Sequence, residues 1–543
     1  MYSSVLSILP LLAQIVTAAP AQRQDAHRRD LMCIEVKAST IYLPTTIYIN
    51  GASQPTPIPT ITQVKGSEAQ LAAAASPTAT NKPVQPNKII VTEGLRWGNK
   101  TRFGNSTANC TDHRGTGKML DVGITANLPT KVKAGKAAKP TAPIAYIDTS
   151  KSVAPRNVLY FTNWGIYGAN YQPQDVPADK VTHLLYAFGD MKDDGTVVSS
   201  DPYADVQKRY DGDALFKRAS DAYGVVNQLY GMKKKNRNLK TLLSIGGYTY
   251  SQQGKFLKFA GSDQGRKTFA SSAVKLLADW GLDGIDIDWE YPANAAEAKY
   301  FVELLKETRA ALDDYAAANG QKYHYLLTVA ASAGPDHYRL LDLKAMDQYV
   351  DAWHLMAYDY AGTWDTTTGH QANVNADPSN MASTKFNTDQ VVGDYTRAGI
   401  APSKLVLGLP LYGRSFGDTD GLGKPFQGAG DGAQQGSILY RDLPRSGATV
   451  QVDGRVGAAW SYDAKARQLV SFDNVASAKL KANYVKNKSL GGAVFWEASG
   501  DKKGDESLVD TMARSLGHLD ETNNMLSYPQ SQYDNIKNGA SET

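Results

Sequence analysis

The sequence predicts an α/β protein built as a (β/α)8 TIM barrel, with an α+β insertion between strands 7 and 8 and a low-complexity N-terminal extension. Three observations predict this. After residue 155, short β-branched or aromatic runs alternate with helical patterns, as in repeated βα units over a parallel sheet. There are eight such runs, which is the number of strands that closes a barrel. The last gap between runs is longer than one crossover helix needs.

The predicted strands begin at residues 157, 181, 239, 284, 325, 352, 404 and 491. Between them, RKTFASSAVKLLADWG at 266–281 and EAKYFVELLKETRAALDDYAAANG at 297–320 have apolar residues at helical spacing and predict helices. The long gap predicts an inserted subdomain over 413–484, in which AAWSYDAKARQLVSFDN is typical of a hairpin. The predicted barrel covers 156–535, followed by a short tail over 536–543.

The N-terminus predicts export. An apolar stretch from Val5 to Ala18, followed by small residues and Pro20, is typical of a signal peptide, which we place at 1–21. Residues 22–155 contain a long stretch rich in Thr, Ala, Pro and Ser, a composition that predicts a flexible, glycosylated extension and linker. No later apolar run reaches the roughly 18 residues of a membrane span. We therefore expect a secreted, extracellular protein that can associate with the cell wall.

Cysteine and glycosylation patterns agree with export. The chain has two cysteines, Cys33 and Cys110, too few for a four-cysteine zinc site. In an oxidising compartment they can form a disulfide, the alternative being two independent buried thiols. N-glycosylation sequons point the same way, because N-glycans are added only on the secretory route. They begin at Asn99, Asn105, Asn109 and Asn487.

The distribution of charge argues against nucleic acid as a partner. Of the formal charge of +4, residues 1–151 carry +9 and the remainder carries −5. The predicted barrel is therefore acidic, whereas nucleic-acid-binding domains are basic.

A line of carboxylates marks the candidate site. In GLDGIDIDWEYP, residues 281–292, the two-residue period of a strand places Asp286, Asp288 and Glu290 on one face. Ile285 and Ile287 occupy the other face. In a closed barrel the isoleucines can pack outward against helices while the carboxylates line the interior. Glu290 then lies at the C-terminal mouth, where barrel enzymes keep their sites.

This arrangement predicts glycosidic bond cleavage. Carboxylates at alternate positions are roughly 6.6 to 7 Å apart, so they repel each other and share a proton at neutral pH. A protonated carboxyl at the mouth can act as the general acid on a glycosidic oxygen. Asp288 points the same way as Glu290 and is poorly placed as a nucleophile. A substrate with a 2-acetamido group can instead attack with its own carbonyl oxygen, while Asp288 stabilises the oxazolinium.

Two other interpretations of the carboxylates remain open. One is a structural ladder of satisfied side chains, and the other is a Mg²⁺ or Ca²⁺ site with oxygen ligands. Both are disfavoured, because no histidine accompanies the cluster and four carboxylates on one strand rarely serve packing. We therefore expect no metal and no cofactor.

Two motifs resemble those of family-18 glycoside hydrolases. DGIDIDWE resembles the D-x-x-D-x-D-x-E signature of that family, and SIGG at 244–247 resembles its S-x-G-G strand. The resemblance continues through MAYDYAGTWD, LGLPLYGRSF and GGAVFWEASGDK over about residues 156–535. It is strongest to secreted chitinases of filamentous fungi, including the branch with an α+β insertion.

The resemblance implies roles for the carboxylates and their neighbours. Glu290 is the acid/base, and Asp288 holds the acetamido nitrogen. Asp286 shares a proton with Asp288. Asp283 supports these three residues without contacting the substrate itself. Tyr358, also assigned to catalysis, contacts the acetamido group and the sugar at the cleavage site together with Asp359. Further substrate-binding residues are implied along the cleft. They are Tyr160, Ser244, Gly247, Asp359, Tyr412, Arg414 and Trp496.

Two aromatic positions need separate comment. Trp496 alone would be interpreted as a core aromatic, whereas the resemblance makes it the hydrophobic floor under the sugar, since aromatic faces stack on sugar rings. Tyr248 departs from the family, in which many members have Trp after the two glycines. This departure bears on sugar stacking near that loop and not on catalysis.

The resulting prediction is a monomeric chitinase that binds chitin and chitin oligosaccharides and cleaves internal β-1,4 bonds with retention of configuration. Endo action rests on the fungal resemblance alone. A lectin-like binder on the same barrel is a second hypothesis, against which the presence of Glu290 argues. An endo-β-N-acetylglucosaminidase is a third, and the chitinase-type flanking motifs argue against it.

Overall fold

Eight parallel strands close into a barrel in this computed structural model, which describes residues 154–213 and 220–539. Each predicted run forms one strand, and we number the barrel strands first to eighth along the chain. They are Arg156–Thr162, His183–Met191, Lys240–Gly246, Gly284–Asp288, Leu326–Ser332, Ala352–Met356, Leu405–Pro410 and Gly492–Trp496. The predicted barrel is confirmed.

Several predicted features lie outside the described residues: the signal peptide, the extension, the end of the tail, both cysteines and three sequons. Asn487, the fourth sequon, is described. It is exposed at the end of the helix Val475–Asn487.

Closure follows from the first strand, which pairs with both the second and the eighth. Val158 lies beside His183 on one side and Val494 on the other. A short strand, Val197–Ser199, pairs with the end of the second strand in antiparallel orientation. Because every barrel pairing is parallel, all carboxyl ends of the strands meet at one mouth.

The α-helices surround the strands, and two begin slightly before their predicted start. Ser262 and Asn294 accept hydrogen bonds from backbone N–H groups and cap helices that start at residues 263 and 295. In the described ranges no helix is long and apolar enough to span a membrane. The α-helices are Gly224–Lys235, Tyr248–Gln252, Lys255–Phe259, Asp263–Trp280, Ala295–Ala318, Pro335–Tyr338, Leu343–Asp347, Thr388–Arg397, Val475–Asn487, Leu508–Leu516 and Asp534–Lys537.

The two faces of the fourth strand have opposite environments. Ile285 and Ile287 are fully buried in the large core between barrel and helices. The barrel interior has a separate small apolar cluster, to which Val158, Leu242 and Val406 belong. Above it the interior becomes polar.

A second, antiparallel sheet follows the seventh barrel strand. The predicted hairpin is formed by Ala458–Asp463 and Gln468–Ser471. The predicted insertion, 413–484, also includes part of the helix Val475–Asn487, which packs against the eighth barrel strand. The five strands of this sheet are Tyr412–Phe416, Ser437–Leu439, Thr449–Asp453, Ala458–Asp463 and Gln468–Ser471.

A buried ion pair lies at the N-terminal end of the fourth strand. Lys233 Nζ is 2.8 Å from Asp283 Oδ2, and both side chains are fully buried. Lys233 also donates to the hydroxyl of Tyr528, while Asp283 accepts the backbone N–H of Met525. Burial lowers the pKa of Lys233 to about 8, and Asp283 opposes this shift. The pair therefore connects a barrel helix, the fourth strand and the C-terminal segment.

We expect Lys233→Met to lower the free energy of unfolding by about 3–5 kcal/mol, because the carboxylate of Asp283 would stay buried without a counter-charge. Urea unfolding followed by circular dichroism measures this change. Lys503→Met is the matched control, since the side chain of Lys503 is 80% exposed beside Asp175. The control should change stability by about 0.5 kcal/mol or less. Equal stability of both variants would contradict the importance of the buried pair.

Candidate active site

Three carboxylates follow one another at the mouth of the barrel. The fourth strand ends at Asp288, so Glu290 lies just beyond its carboxyl end. Asp286 and Asp288 are buried, at 0% and 4% exposure, whereas Glu290 is partly exposed. The carbonyl of Asp288 accepts the N–H of Gly247 at 2.8 Å, which continues the pairing with the third strand. The carboxylates thus run from the barrel interior to its opening.

Asp286 accepts four hydrogen bonds from four different strands. Its Oδ2 accepts from the hydroxyls of Tyr160 at 2.9 Å and Ser244 at 2.7 Å. Its Oδ1 accepts from Thr328 Oγ1 at 2.7 Å and lies 3.2 Å from His354 Nδ1. Burial raises the pKa of Asp286, but the hydrogen bonds outweigh burial and hold the pKa below its usual value. Asp286 is therefore ionised at neutral pH.

Asp288 has the opposite environment. Its Oδ1 is buried and has no hydrogen-bond partner among the described residues. Burial, together with the charges of Glu290 and Asp286, raises the pKa of Asp288 well above its usual value. The protonated form is therefore favoured more strongly at Asp288 than at Asp286. The unpartnered oxygen of Asp288 remains available to a ligand.

Glu290 is supported by the short helix that follows the third strand. Its N–H donates to Ser251 Oγ at 2.9 Å, and its carbonyl accepts from Gln252 Nε2 at 2.9 Å. Burial raises the pKa of Glu290 to about 7; Tyr291 opposes this shift and the charge of Asp359 adds to it. Sequence analysis missed Ser251 and Gln252, which lie four and five residues after the end of the SIGG motif.

An ion pair connects the barrel mouth to the antiparallel sheet. Arg414 Nε and Nη2 donate to the two carboxylate oxygens of Asp359 at 2.7 and 2.8 Å. The guanidinium also lies over the rings of Tyr412 and Trp364, 5.1 and 5.2 Å from their centroids. The Tyr358 ring meets Tyr412 edge-on at 6.2 Å. The predicted residues Tyr358, Asp359, Tyr412 and Arg414 thus form one connected wall, to which the structure adds Trp364.

Aromatic rings form the floor. Trp496 ends the eighth strand, meets Tyr160 edge-on at 5.2 Å and stacks on Phe188 at 5.6 Å. It remains partly exposed at the mouth, so it is not a core aromatic. Gly247 has φ of 86°, and a Cβ there would lie 2.6 Å from the Phe188 ring, so glycine is required. Tyr248 is 52% exposed.

Asp283 does not join this group, contrary to the expected support of the other carboxylates. It precedes the fourth strand and Glu290 follows it, so the two lie at opposite ends of the strand. Its parity with Ile285 and Ile287 also directs it outward from the barrel interior. Its side chain instead pairs with Lys233.

The expectation that no histidine accompanies the carboxylates is also wrong, because His354 contacts Asp286. Its signal was strand parity: His354 lies on the sixth strand four residues before Tyr358, which follows the end of that strand, and the two positions have the same parity. Thr328 is found the same way, since it lies beside Asp286 in the strand register. In the part of the chain described, no three histidine, cysteine or acidic side chains are grouped to hold a metal ion.

Comparison with known proteins agrees with this geometry. Residues 156–501 match the family described as Glycosyl hydrolases family 18. The chain belongs to this family. The matched segment contains Asp286, Asp288 and Glu290 and the wall and floor around them.

Relatives within family 18 are similar over most of their own length. The chain is 50% identical over 384 residues to Chitinase 1 of Aphanocladium album, covering 70% of this chain and 90% of the relative. It is 48% identical over 382 residues to Endochitinase 1 of Metarhizium robertsii, with the same two coverages. The solved catalytic domain of psychrophilic chitinase B from Arthrobacter TAD20 aligns with a TM-score of 0.62 and 30% identity, covering 68% and 98% of the two chains.

We expect one glutamate side chain of the ligand-free protein to titrate near pH 7, because burial and Asp359 favour the neutral form of Glu290. Carbon-13 NMR of protein labelled at the glutamate carboxyls measures the midpoint. The Glu290→Gln variant assigns the signal, which should disappear. A Glu290 midpoint within the ordinary range of about 4 to 5 would contradict the environment described for it.

Proposed function

We propose that the protein is a secreted chitinase that cleaves internal bonds of β-1,4-linked N-acetylglucosamine polymers by retaining, substrate-assisted catalysis. The observation that carries the proposal is the unequal environment of the three carboxylates. Asp286 has four hydrogen-bond donors, Asp288 has an unpartnered oxygen, and the pKa of Glu290 is raised to about 7. These are the properties needed for a fixed anion, a group that binds an N–H, and an acid.

In the first step, Glu290 donates its proton to the glycosidic oxygen, and the bond to the anomeric carbon breaks. The acetamido oxygen of the substrate attacks that carbon and forms an oxazolinium. Asp288 binds the acetamido N–H through its free oxygen and balances the positive charge as its proton is shared with Asp286. In the second step, Glu290 accepts a proton from water, which opens the oxazolinium. Glu290 is then protonated again.

The surrounding residues would position the sugar. Trp496 offers a partly exposed ring as a floor for the apolar face of the pyranose. Tyr358 lies close enough to Asp288 and Glu290 for their charges to raise the pKa of its hydroxyl, although burial is the larger cause. A neutral tyrosine hydroxyl there can donate a hydrogen bond to the acetamido oxygen. Arg414 fixes Asp359 for contact with the sugar hydroxyls.

The two alternatives make different predictions. A lectin-like binder does not need an acid, and nothing would then favour a glutamate of raised pKa at the mouth. An endo-β-N-acetylglucosaminidase would use the same acid on a different polymer. The printed names of the fungal relatives, which are chitinases and endochitinases, favour chitin.

Export, glycosylation and the monomeric state also belong to the proposal. Export rests on the predicted signal peptide at 1–21, and glycosylation at Asn487 rests on the sequon and on the exposure of its residues 487–489. Export to the cell wall would place the enzyme beside its proposed polymeric substrate, chitin.

The decisive experiment offers the full secreted chain two substrates, a soluble chitin oligomer and a high-mannose glycoprotein, and identifies products by mass. We expect cleavage of the oligomer only. Glu290→Gln is the matched control, which should bind oligomers normally and turn over about a hundredfold to ten-thousandfold more slowly, since shape is kept and only the proton is lost. Binding without turnover by the wild type would indicate a lectin, and release of the glycan would indicate the endoglycosidase.

The stereochemistry of the product tests the mechanism without mutation. Attack by the acetamido oxygen and then by water gives two inversions, so the first product should be the β-anomer. Proton NMR at early times detects it before mutarotation. Initial release of the α-anomer would mean direct attack by water and would make Asp288 a general base. An oligomer with free amines in place of acetamido groups should not be cleaved, because it lacks the internal nucleophile.

A further inference from the structure

We propose that a pocket on the antiparallel sheet of the insertion is a second binding site for a chain of β-1,4-linked N-acetylglucosamine, separate from the cleft at the barrel mouth. The pocket has a volume of about 600 Å³. Ligand sites typically measure about 300–1,000 Å³. The inference rests on the proposed function, which supplies the polymer. The pocket uses residues of the predicted hairpin that have no part in the catalytic mechanism.

Two aromatic side chains form one side of the pocket. Trp460 and Tyr462 alternate along the strand Ala458–Asp463, so both project from the same face of the sheet. Both are partly exposed. Leu422 adds an apolar side chain to the lining. Because aromatic rings pack on the apolar faces of sugar rings, this side of the pocket suits a sugar.

Polar side chains border these rings. Thr449 and Gln451, on the neighbouring strand, are exposed and pair in register with Tyr462 and Trp460. Residues that pair across two strands share a face of the sheet, so a hydroxyl and an amide stand beside the two rings. These groups can donate to and accept from the hydroxyl and acetamido groups of a sugar. The pocket therefore combines stacking with hydrogen bonding.

Contacts behind the two rings hold them in place. The ring of Trp460 meets the ring of His370 edge-on, with 5.1 Å between the centroids. The hydroxyl of Tyr462 donates to the backbone carbonyl of Thr419 at 2.9 Å. A site that is ordered before binding loses little conformational entropy when a ligand enters. The rings are thus arranged in advance for a ligand.

The charges in the lining suit a neutral ligand. Among the described residues that line the pocket, one is acidic, Asp463, and one is basic, Lys465. The carboxylate of Asp463 is fixed by the backbone N–H groups of Lys465 and Ala466, at 2.8 and 2.9 Å. With one charge of each sign, the lining has no net charge to attract an anion or a cation. Chains of N-acetylglucosamine are uncharged, so the charge balance favours them.

A buried segment separates the pocket from the cleft. Arg414, Ser471 and Trp460 are aligned across three neighbouring strands, so one row of the sheet leads from the wall of the cleft to the pocket. Gln371 covers the middle of this row. Its N–H donates to Ser471 Oγ at 2.9 Å, and its side chain donates to the carbonyl of Tyr412 at 2.7 Å. Gln371 is fully buried, so the two sites are distinct.

The pocket is close enough to the cleft to contact the same solid substrate. Neighbouring strands are about 4.8 Å apart, so the strand of Trp460 lies about 10 Å from the strand of Arg414. Solid chitin presents many chains side by side. While one chain occupies the cleft, a neighbouring chain can occupy the pocket. The pocket should therefore strengthen binding to insoluble chitin more than binding to a short oligomer.

The first test fills the pocket and leaves its rings unchanged. The pocket pair is Thr449→Arg with Gln451→Arg. The matched control is Val450→Arg with Val452→Arg, because both valines are exposed on the same strand and alternate with the pocket residues toward the other face. Both pairs are made in Glu290→Gln, so that chitin is not degraded.

We expect the dissociation constant for insoluble chitin to rise at least about fivefold in the pocket pair, since two long side chains block the site, and to stay within about twofold in the control pair. Depletion of the full chain from solution by chitin powder measures this constant. Circular dichroism confirms that both pairs are folded.

A second readout observes the pocket directly and needs no blocked variant. Protein labelled with 5-fluorotryptophan gives a fluorine NMR signal for each tryptophan, and Trp460→Phe assigns the signal of Trp460. In Glu290→Gln, a soluble chitin oligomer should shift this signal. The shift should persist when Trp496→Ala removes the floor of the cleft, because the two sites are separate.

The outcomes separate the two proposals. A wild type that does not cleave soluble chitin oligomers would refute the proposed function, while the Trp460 signal would still show whether the pocket binds them. An unmoved Trp460 signal would overturn the inference, and so would a shift that disappears in Trp496→Ala. Equal binding of insoluble chitin by the pocket pair and the control pair would also overturn it, because the pocket would then contribute nothing to binding.

Discussion

Burial of a line of carboxylates in a closed barrel is the constraint on which the rest of the structure depends. Each carboxylate in the interior must either find donors or take up a proton, because an isolated charge is too costly away from water. Burial raises the pKa of both groups, but four donors bring the pKa of Asp286 below its usual value, whereas Asp288 receives no donor at Oδ1 and its pKa is raised. The unequal supply of donors, more than the carboxylates themselves, creates two different chemical groups from two identical side chains.

The fold supplies these donors in a way that only a closed barrel allows. Tyr160, Ser244, Thr328 and His354 come from the first, third, fifth and sixth strands, and all converge on Asp286. The same closure brings Trp496 beside Tyr160. The antiparallel sheet then adds a wall through Arg414, which binds an aspartate at the barrel mouth. Site and fold thus depend on the same strand order.

Polar groups are buried at both ends of the fourth strand, for different purposes. At the N-terminal end, the charges of Asp283 and Lys233 are matched, and the pair joins three parts of the chain. At the C-terminal end, burial and, to a smaller extent, neighbouring carboxylates raise the pKa values of Asp288 and Glu290. A buried carboxylate with a paired cation can hold parts of the fold together. A buried carboxyl without one has a raised pKa and can supply a proton for catalysis.

The sequence by itself determined the eight strands, the split faces of the fourth strand, the hairpin and the family, because periodicity and motifs are local properties of the chain. It also identified Asp286, Asp288 and Glu290 as one line. The donors that distinguish them were not readable, since His354 and Thr328 reach Asp286 only through barrel closure and strand register. Asp283 was misplaced because the motif includes it, whereas it precedes the fourth strand and pairs with Lys233, a contact that only the folded chain makes. Protonation states depend on burial and partners, which only the tertiary structure decides.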